Sequence, residues 1–259
     1  MTYIVAEIGI NHNGSLTIAK DLIDVAINCG CNAVKFQKRT VEQVYSKETL
    51  EIPRESPWGK TTGDQKKGLE LSLDDYDKIN EYCKNKIDWF ASCWDIQSQE
   101  DMKPYNFKHN KIASAMITHL EFIKQVAKEK KHTLISTGMT QYKDIDLAIE
   151  IFEKESCDYT LMHTVSTYPT KDIDCNINMI DTLKTKYNCK IGYSGHEVGL
   201  LPSILAVTKG ATVIERHITL DRSMYGSDQA ASLEPEGLRR LVRDIRSIEK
   251  ISGNGVKIF

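Results

Sequence analysis

Eight times along this chain a short apolar run gives way to a longer segment of helical period. The runs lie at 3–9, 32–37, 88–93, 110–114, 132–137, 158–164, 189–194 and 211–217. Between them, segments such as SLTIAKDLIDVAINCG and THLEFIKQVAKEKK place apolar residues three and four apart, the spacing of a helix with one buried face. The last, PEGLRRLVRDIRSIEKISG, opens on Pro235, a residue suited to a helix's first turn. Eight strand–helix alternations predict an α/β fold, a (β/α)8 TIM barrel, as a single domain over 1–259. An open doubly wound sheet is the weaker rival, because no glycine-rich nucleotide fingerprint follows the first run. One connection, from residue 40 to about 72, is long enough to be functional or mobile.

Composition excludes several classes of partner. The net charge of −2 implies no bulk attraction to nucleic acid or to an anionic membrane. The sequence holds no run of 18 apolar residues, so no transmembrane helix is expected. The start, MTYIVAEIG, lacks a basic region and reaches Glu7 at once, unlike a signal peptide. Seven cysteines are scattered without a CxxC pair, which reads as reduced thiols in a cytoplasmic protein without structural zinc.

In such barrels the chemistry sits at the C-terminal ends of the strands. The first run ends in Glu7 and the second carries Lys35 and Gln37. The third has Ser92, the fourth Lys111 and Ser114, and the fifth Ser136 and Thr137. The sixth has His163, Ser166 and Tyr168, the seventh Ser194 and His196, and the eighth Glu215 and His217. Several are i, i+2 pairs, which share one face of a strand. Charge on the helix-covered face is costly, so the expected direction is inward. With Asp228 added, the mouth becomes a polar cavity suited to a small anionic substrate. His196 and His217, each two residues after a polar strand residue, are the expected ligands of one divalent metal ion. For His12 and His163 a structural and a functional role both stay open, and His109, His119 and His132 read as surface positions.

At this point the chain resembles the sialic acid (N-acetylneuraminate) synthases, over nearly its whole length. The motifs that carry the resemblance are AEIGINHNGS, VKFQ, KIAS, LISTGM, HTVSTYPT, GYSGHEVG, IERHITLD and GSDQAASLEP. The resemblance implies a reaction in which phosphoenolpyruvate condenses with the open-chain aldehyde of a mannosamine-type sugar, releasing a nonulosonic acid and phosphate. It implies that Lys35 and Lys111 bind phosphoenolpyruvate with Ser114, Ser136 and Ser194, and that Ser166 and Tyr168 border that site. Glu7 and Gln37 would lie near the reacting centre, and Glu215 and Asp228 on the sugar side. His196 and His217 would hold the divalent metal, Mn²⁺ or Mg²⁺.

Three departures from the family pattern stand out. Ser92-Cys93-Trp94-Asp95 replaces a frequent Ser-Thr-Pro-Phe, and Met116 replaces a frequent acidic residue. Well-known bacterial members carry a C-terminal antifreeze-like domain that supplies an arginine to a partner's site, whereas this chain stops just past the barrel. The expectation is therefore that the long loop after the second strand covers the site, with Arg54 taking that arginine's part. The sugar is expected to be N-acetylmannosamine or a bacillosamine-derived diacetamido sugar, and a homo-oligomer is left open. The rival readings are a metal-dependent aldolase or isomerase on the same fold, and a non-catalytic sugar-binding barrel.

Overall fold

The protein is described by a computed structural model covering residues 1–257. Eight parallel strands close into one barrel: β1 (Tyr3–Gly9), β2 (Ala33–Lys38), β3 (Asp88–Cys93), β4 (Asn110–Ile112), β5 (Thr133–Ser136), β6 (Tyr159–Thr164), β7 (Lys190–Gly195) and β8 (Val213–His217). Each pairs with its neighbour in the sequence, and β8 closes the ring on β1. One helix follows each strand outside: α1 (Leu16–Cys29), α2 (Leu73–Cys83), α3 (Ile96–Met102), α4 (Leu120–Lys128), α5 (Tyr142–Lys154), α6 (Met179–Tyr187), α7 (Leu201–Thr208) and α8 (Pro235–Ile251). The expected (β/α)8 barrel is therefore the fold.

The helices form where the apolar period and the caps agree. Ser15 accepts a hydrogen bond from the Ile18 amide at the start of α1, and Gly30, at φ +82°, ends it. Leu22, Ile23 and Ala26 bury its inner face, as Leu238, Leu241, Val242 and Ile245 do for α8. Each fully buried leucine or isoleucine contributes about 1.5–3 kcal/mol of transfer free energy, so this inner layer holds the helices to the sheet.

The long connection after β2 is not an open loop. It contains helical turns at Val41–Val44 and Lys47–Glu51, a hairpin of Pro53–Ser56 with Gly59–Thr61, and a helix Thr62–Leu69. Trp58 packs edge-on against Tyr225, with ring centroids 5.6 Å apart, and lies on Gly68, where a Cβ would fall 2.0 Å from the indole. Gln65 donates to the Tyr225 hydroxyl at 2.9 Å. The segment thus docks on the loop between β8 and α8.

Two expectations need correction. His109 and His132 are not surface residues: both are half-buried at the N-terminal ends of β4 and β5, with their Nδ1 atoms 3.0 Å apart. Burial and the neighbouring ring push His109 down to about 4, so it stays neutral at ordinary pH. Nor is the outer face of the strands free of charge. Arg216 alternates with Glu215 and His217, so it points outward, and it is 1% exposed. It pairs with Glu197 at 2.9 Å and donates to the Gly199 carbonyl and the Ser203 hydroxyl, which satisfies the buried charge.

Candidate active site

The C-terminal ends of the strands enclose a cavity of about 160 Å³. Register explains its lining: Glu7 stands beside His217 on one side and Lys35 on the other, Gln37 beside Ser92, Ser92 beside Lys111, and Glu215 beside Ser194. Parallel pairing with period-two alternation turns these residues inward together. Of the expected site residues, Glu7, Lys35, Gln37, Lys111, Ser114, Ser136, Ser166, Tyr168, Ser194, His196, Glu215 and His217 all line it. Asp228 stands just behind, with Oδ2 3.7 Å from Nδ1 of His217. Arg54 is not brought in: it sits on the hairpin with an exposed side chain, outside the lining.

One part of the cavity is built for an anion. Lys111 Nζ donates to the Ser136 hydroxyl at 2.5 Å and to its neighbour's carbonyl at 3.1 Å. Burial pushes this lysine down to about 8, so it is still charged at neutral pH and loses its charge just above it. Ser114 Oγ accepts from the Gly138 amide at 3.1 Å. A Cβ at residue 138 would lie 2.3 Å from Ser166 Oγ and 2.8 Å from Ser114 Oγ, so only glycine lets both hydroxyls converge there.

Elsewhere the cavity concentrates charge. Lys35 Nζ is 2.9 Å from Glu7 Oε2 and 3.5 Å from Glu215 Oε1, all nearly sealed from solvent. Gln37 Nε2 donates to Glu7 Oε1 at 2.8 Å, and Ser194 donates to Glu215 at 3.2 Å. Burial raises Glu7, against the pull of Lys35 and with the push of Glu215. Burial also acts on Glu215, but Lys111 and Lys35 outweigh it and hold that carboxyl below its ordinary value. Two neighbouring carboxyls are thereby driven apart, the pattern of a proton-handling group beside a fixed anion. Gly9, at φ +55°, makes the bulge between β1 and β2, where a Cβ would sit 3.0 Å from Glu7 Oε1.

The two histidines face one another with ring centroids 5.4 Å apart. His196 Nδ1 donates to the Val165 carbonyl at 2.6 Å, which leaves Nε2 as the lone-pair nitrogen, met by the Tyr168 hydroxyl at 2.9 Å. His217 Nδ1 is buried without a hydrogen-bond partner. Burial lowers both rings, His196 to about 4, so both are neutral. A ring fixed by a carbonyl, an unpartnered buried nitrogen and a nearby carboxylate make a donor set that fits a divalent ion. Among the described residues no three His, Cys, Asp or Glu side chains are placed to hold a metal ion together, so the two imidazoles are the protein donors on offer.

His12 and His163 turn out to be packed elsewhere. His12 accepts from the Gly14 amide at 3.0 Å and His163 donates to the Cys175 carbonyl at 2.8 Å. Asp95 is a helix cap, accepting from the Ser98 amide at 2.7 Å. Sequence reasoning missed Thr164, Met139 and Trp94 in the lining, and Arg39 behind it. Arg39 stands two residues beyond Gln37 and Thr164 two before Ser166, so the period-two signal was available for both.

A family model described as the NeuB family matches residues 22–257. The chain is 39% identical over 252 residues to the N-acetylneuraminate-9-phosphate synthase of Drosophila melanogaster, covering 95% of this chain and 68% of that one. It is 35% identical to the N,N'-diacetyllegionaminic acid synthase of Campylobacter jejuni, over 99% of this chain and 79% of the relative. Among solved structures, the N-acetylneuraminic acid (sialic acid) synthetase of Leptospira borgpetersenii superposes with a TM-score of 0.89 at 32% identity. That match covers 100% of this chain and 87% of the other.

Proposed function

The chain belongs to the NeuB family, and from that premise we propose that it condenses phosphoenolpyruvate with the open-chain aldehyde of an N-acylated mannosamine-type sugar, giving a nonulosonic acid and phosphate. It is an enzyme of the transferase type, as its named relatives are. The observation that carries the finer reading is the meeting, in one cavity, of an anion cradle with a carboxyl pair and two neutral imidazoles.

In this reading Lys111, Ser114, Ser136 and the Gly138 amide grip the anionic groups of phosphoenolpyruvate, with Ser166 and Tyr168 at the border. Lys35 and Ser194 face the reacting end, where Lys35 disperses charge as phosphate departs. The new C–C bond joins C3 of phosphoenolpyruvate to the aldehyde carbon; water adds at C2, and the C2–O bond to phosphate breaks. Glu7 has its carboxyl raised by burial, which suits it to take and return the proton of that water, with Gln37 orienting it. Glu215 and Asp228 face the sugar. His196 and His217 are the residues to hold a divalent ion, Mn²⁺ or Mg²⁺, which when bound polarises the aldehyde oxygen as a Lewis acid.

The test is an aldehyde panel with phosphoenolpyruvate and Mn²⁺, reading phosphate and the nine-carbon acid. The panel holds N-acetylmannosamine, its 6-phosphate and a 2,4-diacetamido-2,4,6-trideoxy sugar. Release of phosphate in step with one aldehyde is expected. Aldehyde conversion without phosphate would favour an aldolase or isomerase, and binding without turnover a sugar-binding barrel.

A further inference from the structure

We propose that Arg39 is a positioning residue that fixes which end of the Gln37 side-chain amide faces Glu7. Gln37 and Arg39 project the same way from the end of β2, and the Arg39 guanidinium donates through Nη2 to Gln37 Oε1. Gln37 Nε2 in turn donates to Glu7 Oε1 at 2.8 Å. A guanidinium has donors only and keeps its charge, so only the carbonyl end of the amide can face it. The N–H₂ end must then face Glu7. The other Glu7 oxygen lies 2.9 Å from the Lys35 ammonium, so the carboxylate sits between an amide donor and a cation.

Without Arg39, the far side of Gln37 has no group that distinguishes oxygen from nitrogen. A flipped amide would set its oxygen against that of Glu7, leaving the carboxylate with one donor fewer. Gln37 Nε2 packs over Gly9, where a Cβ would lie 3.1 Å from it, so a side chain there would crowd the amide. Arg39 itself is held firmly. It stacks over Trp94 at 4.1 Å, its Nη1 is 3.6 Å from Glu70, and its backbone amide donates to Glu70 at 3.1 Å. It is 8% exposed, so the charge is sequestered for a contact inside the protein. Trp94 also lines the cavity, which ties this arginine to the site wall.

The inference rests on the synthase reading for its effect on turnover, but the amide orientation can be read without activity. Steady-state kinetics are compared for Arg39→Met, Arg39→Lys, Gln37→Ala and the Arg39→Met/Gln37→Ala double variant. Arg39→Met is expected to lower kcat roughly tenfold, the scale of one charge-assisted contact, with KM for phosphoenolpyruvate little changed. Arg39→Lys should recover part of it, because an ammonium also only donates. In the Gln37→Ala background, removing Arg39 should have no further effect. In parallel, the Gln37 side-chain amide resonances, identified by their loss in Gln37→Ala, should move in Arg39→Met and return towards the native position in Arg39→Lys. Should Arg39→Met not fold, Arg39→Gln, whose amide can donate or accept, takes its place in the same cycle. Unchanged kcat, additive costs in the double variant, or unmoved resonances would each overturn the proposal. A native enzyme inactive with every aldehyde would sink the synthase reading instead, and the resonances would still decide the role of Arg39.

Discussion

Lys35 and Glu7, on adjacent strands of the barrel, form an ion pair of 2.9 Å that is nearly sealed from water, and Glu215 approaches the same ammonium at 3.5 Å. One cation therefore serves two buried carboxyls. Lys35→Met leaves both without it. The expected cost is about 3–5 kcal/mol of stability, because an uncompensated buried charge is costlier than an absent pair. Adding Glu7→Gln should restore part of that loss. Urea midpoints of the single and double variants check this; a Lys35→Met midpoint equal to the native one would contradict it.

Phosphoenolpyruvate affinity should depend on pH through Lys111. Burial sets this lysine at about 8, below the ordinary lysine range. The ammonium is present below that value and lost above it, so KM for phosphoenolpyruvate should be flat towards neutrality and rise above about pH 8. Lys111→Arg, which keeps its charge, should abolish the rise. The same group affects stability with a definite sign. Between about 8 and its unfolded value the native state has released a proton that the unfolded state retains, so its contribution to stability increases with pH there. KM profiles of the two proteins provide the measurement.

His196→Ala should lose divalent metal while remaining folded, because its two hydrogen bonds, to Val165 and Tyr168, join loops and not the barrel core. Mn²⁺ affinity by titration calorimetry or electron paramagnetic resonance is expected to fall by more than about a hundredfold. Chelation of the native enzyme should abolish turnover, and Mn²⁺ should restore it. Native Mn²⁺ affinity in the variant would reassign the site.

Gly138→Ala tests the anion cradle with one methyl group. That carbon would fall 2.3 Å from Ser166 Oγ and 2.8 Å from Ser114 Oγ, so the hydroxyls must part. KM for phosphoenolpyruvate should rise by roughly tenfold or more, the scale of one lost charge-assisted hydrogen bond. Mn²⁺ affinity should stay as it is, since the two imidazoles lie elsewhere in the cavity. A change in metal affinity alone would mean that the cradle has been misplaced.

Most of the barrel was legible in the chain itself. Eight apolar runs separated by segments of helical period leave few ways to bury everything, and strand-end polar residues two apart share a face whatever surrounds them. That is why Glu7, Lys35, Gln37, Lys111, Ser194, Glu215 and both histidines could be gathered into one site before any coordinates. The histidines His109 and His132 read as surface positions because each lies just before its strand begins, where local sequence resembles any exposed turn. Only the side-by-side register of β4 and β5 brings the rings together.

Arg54 and Arg39 show where the sequence by itself stops. Both lie beyond the end of β2, but only Arg54 has a tryptophan close in the chain, and local pattern favoured that one, in the long loop. Tertiary packing decided otherwise: Trp58 turns to Tyr225 and leaves Arg54 on an exposed hairpin, while Trp94, 55 residues beyond Arg39, supplies the face on which that guanidinium stacks. Periodicity determines which way a side chain points, because backbone geometry is local. Which partner it meets there depends on contacts between distant segments, and those exist only once the barrel has closed.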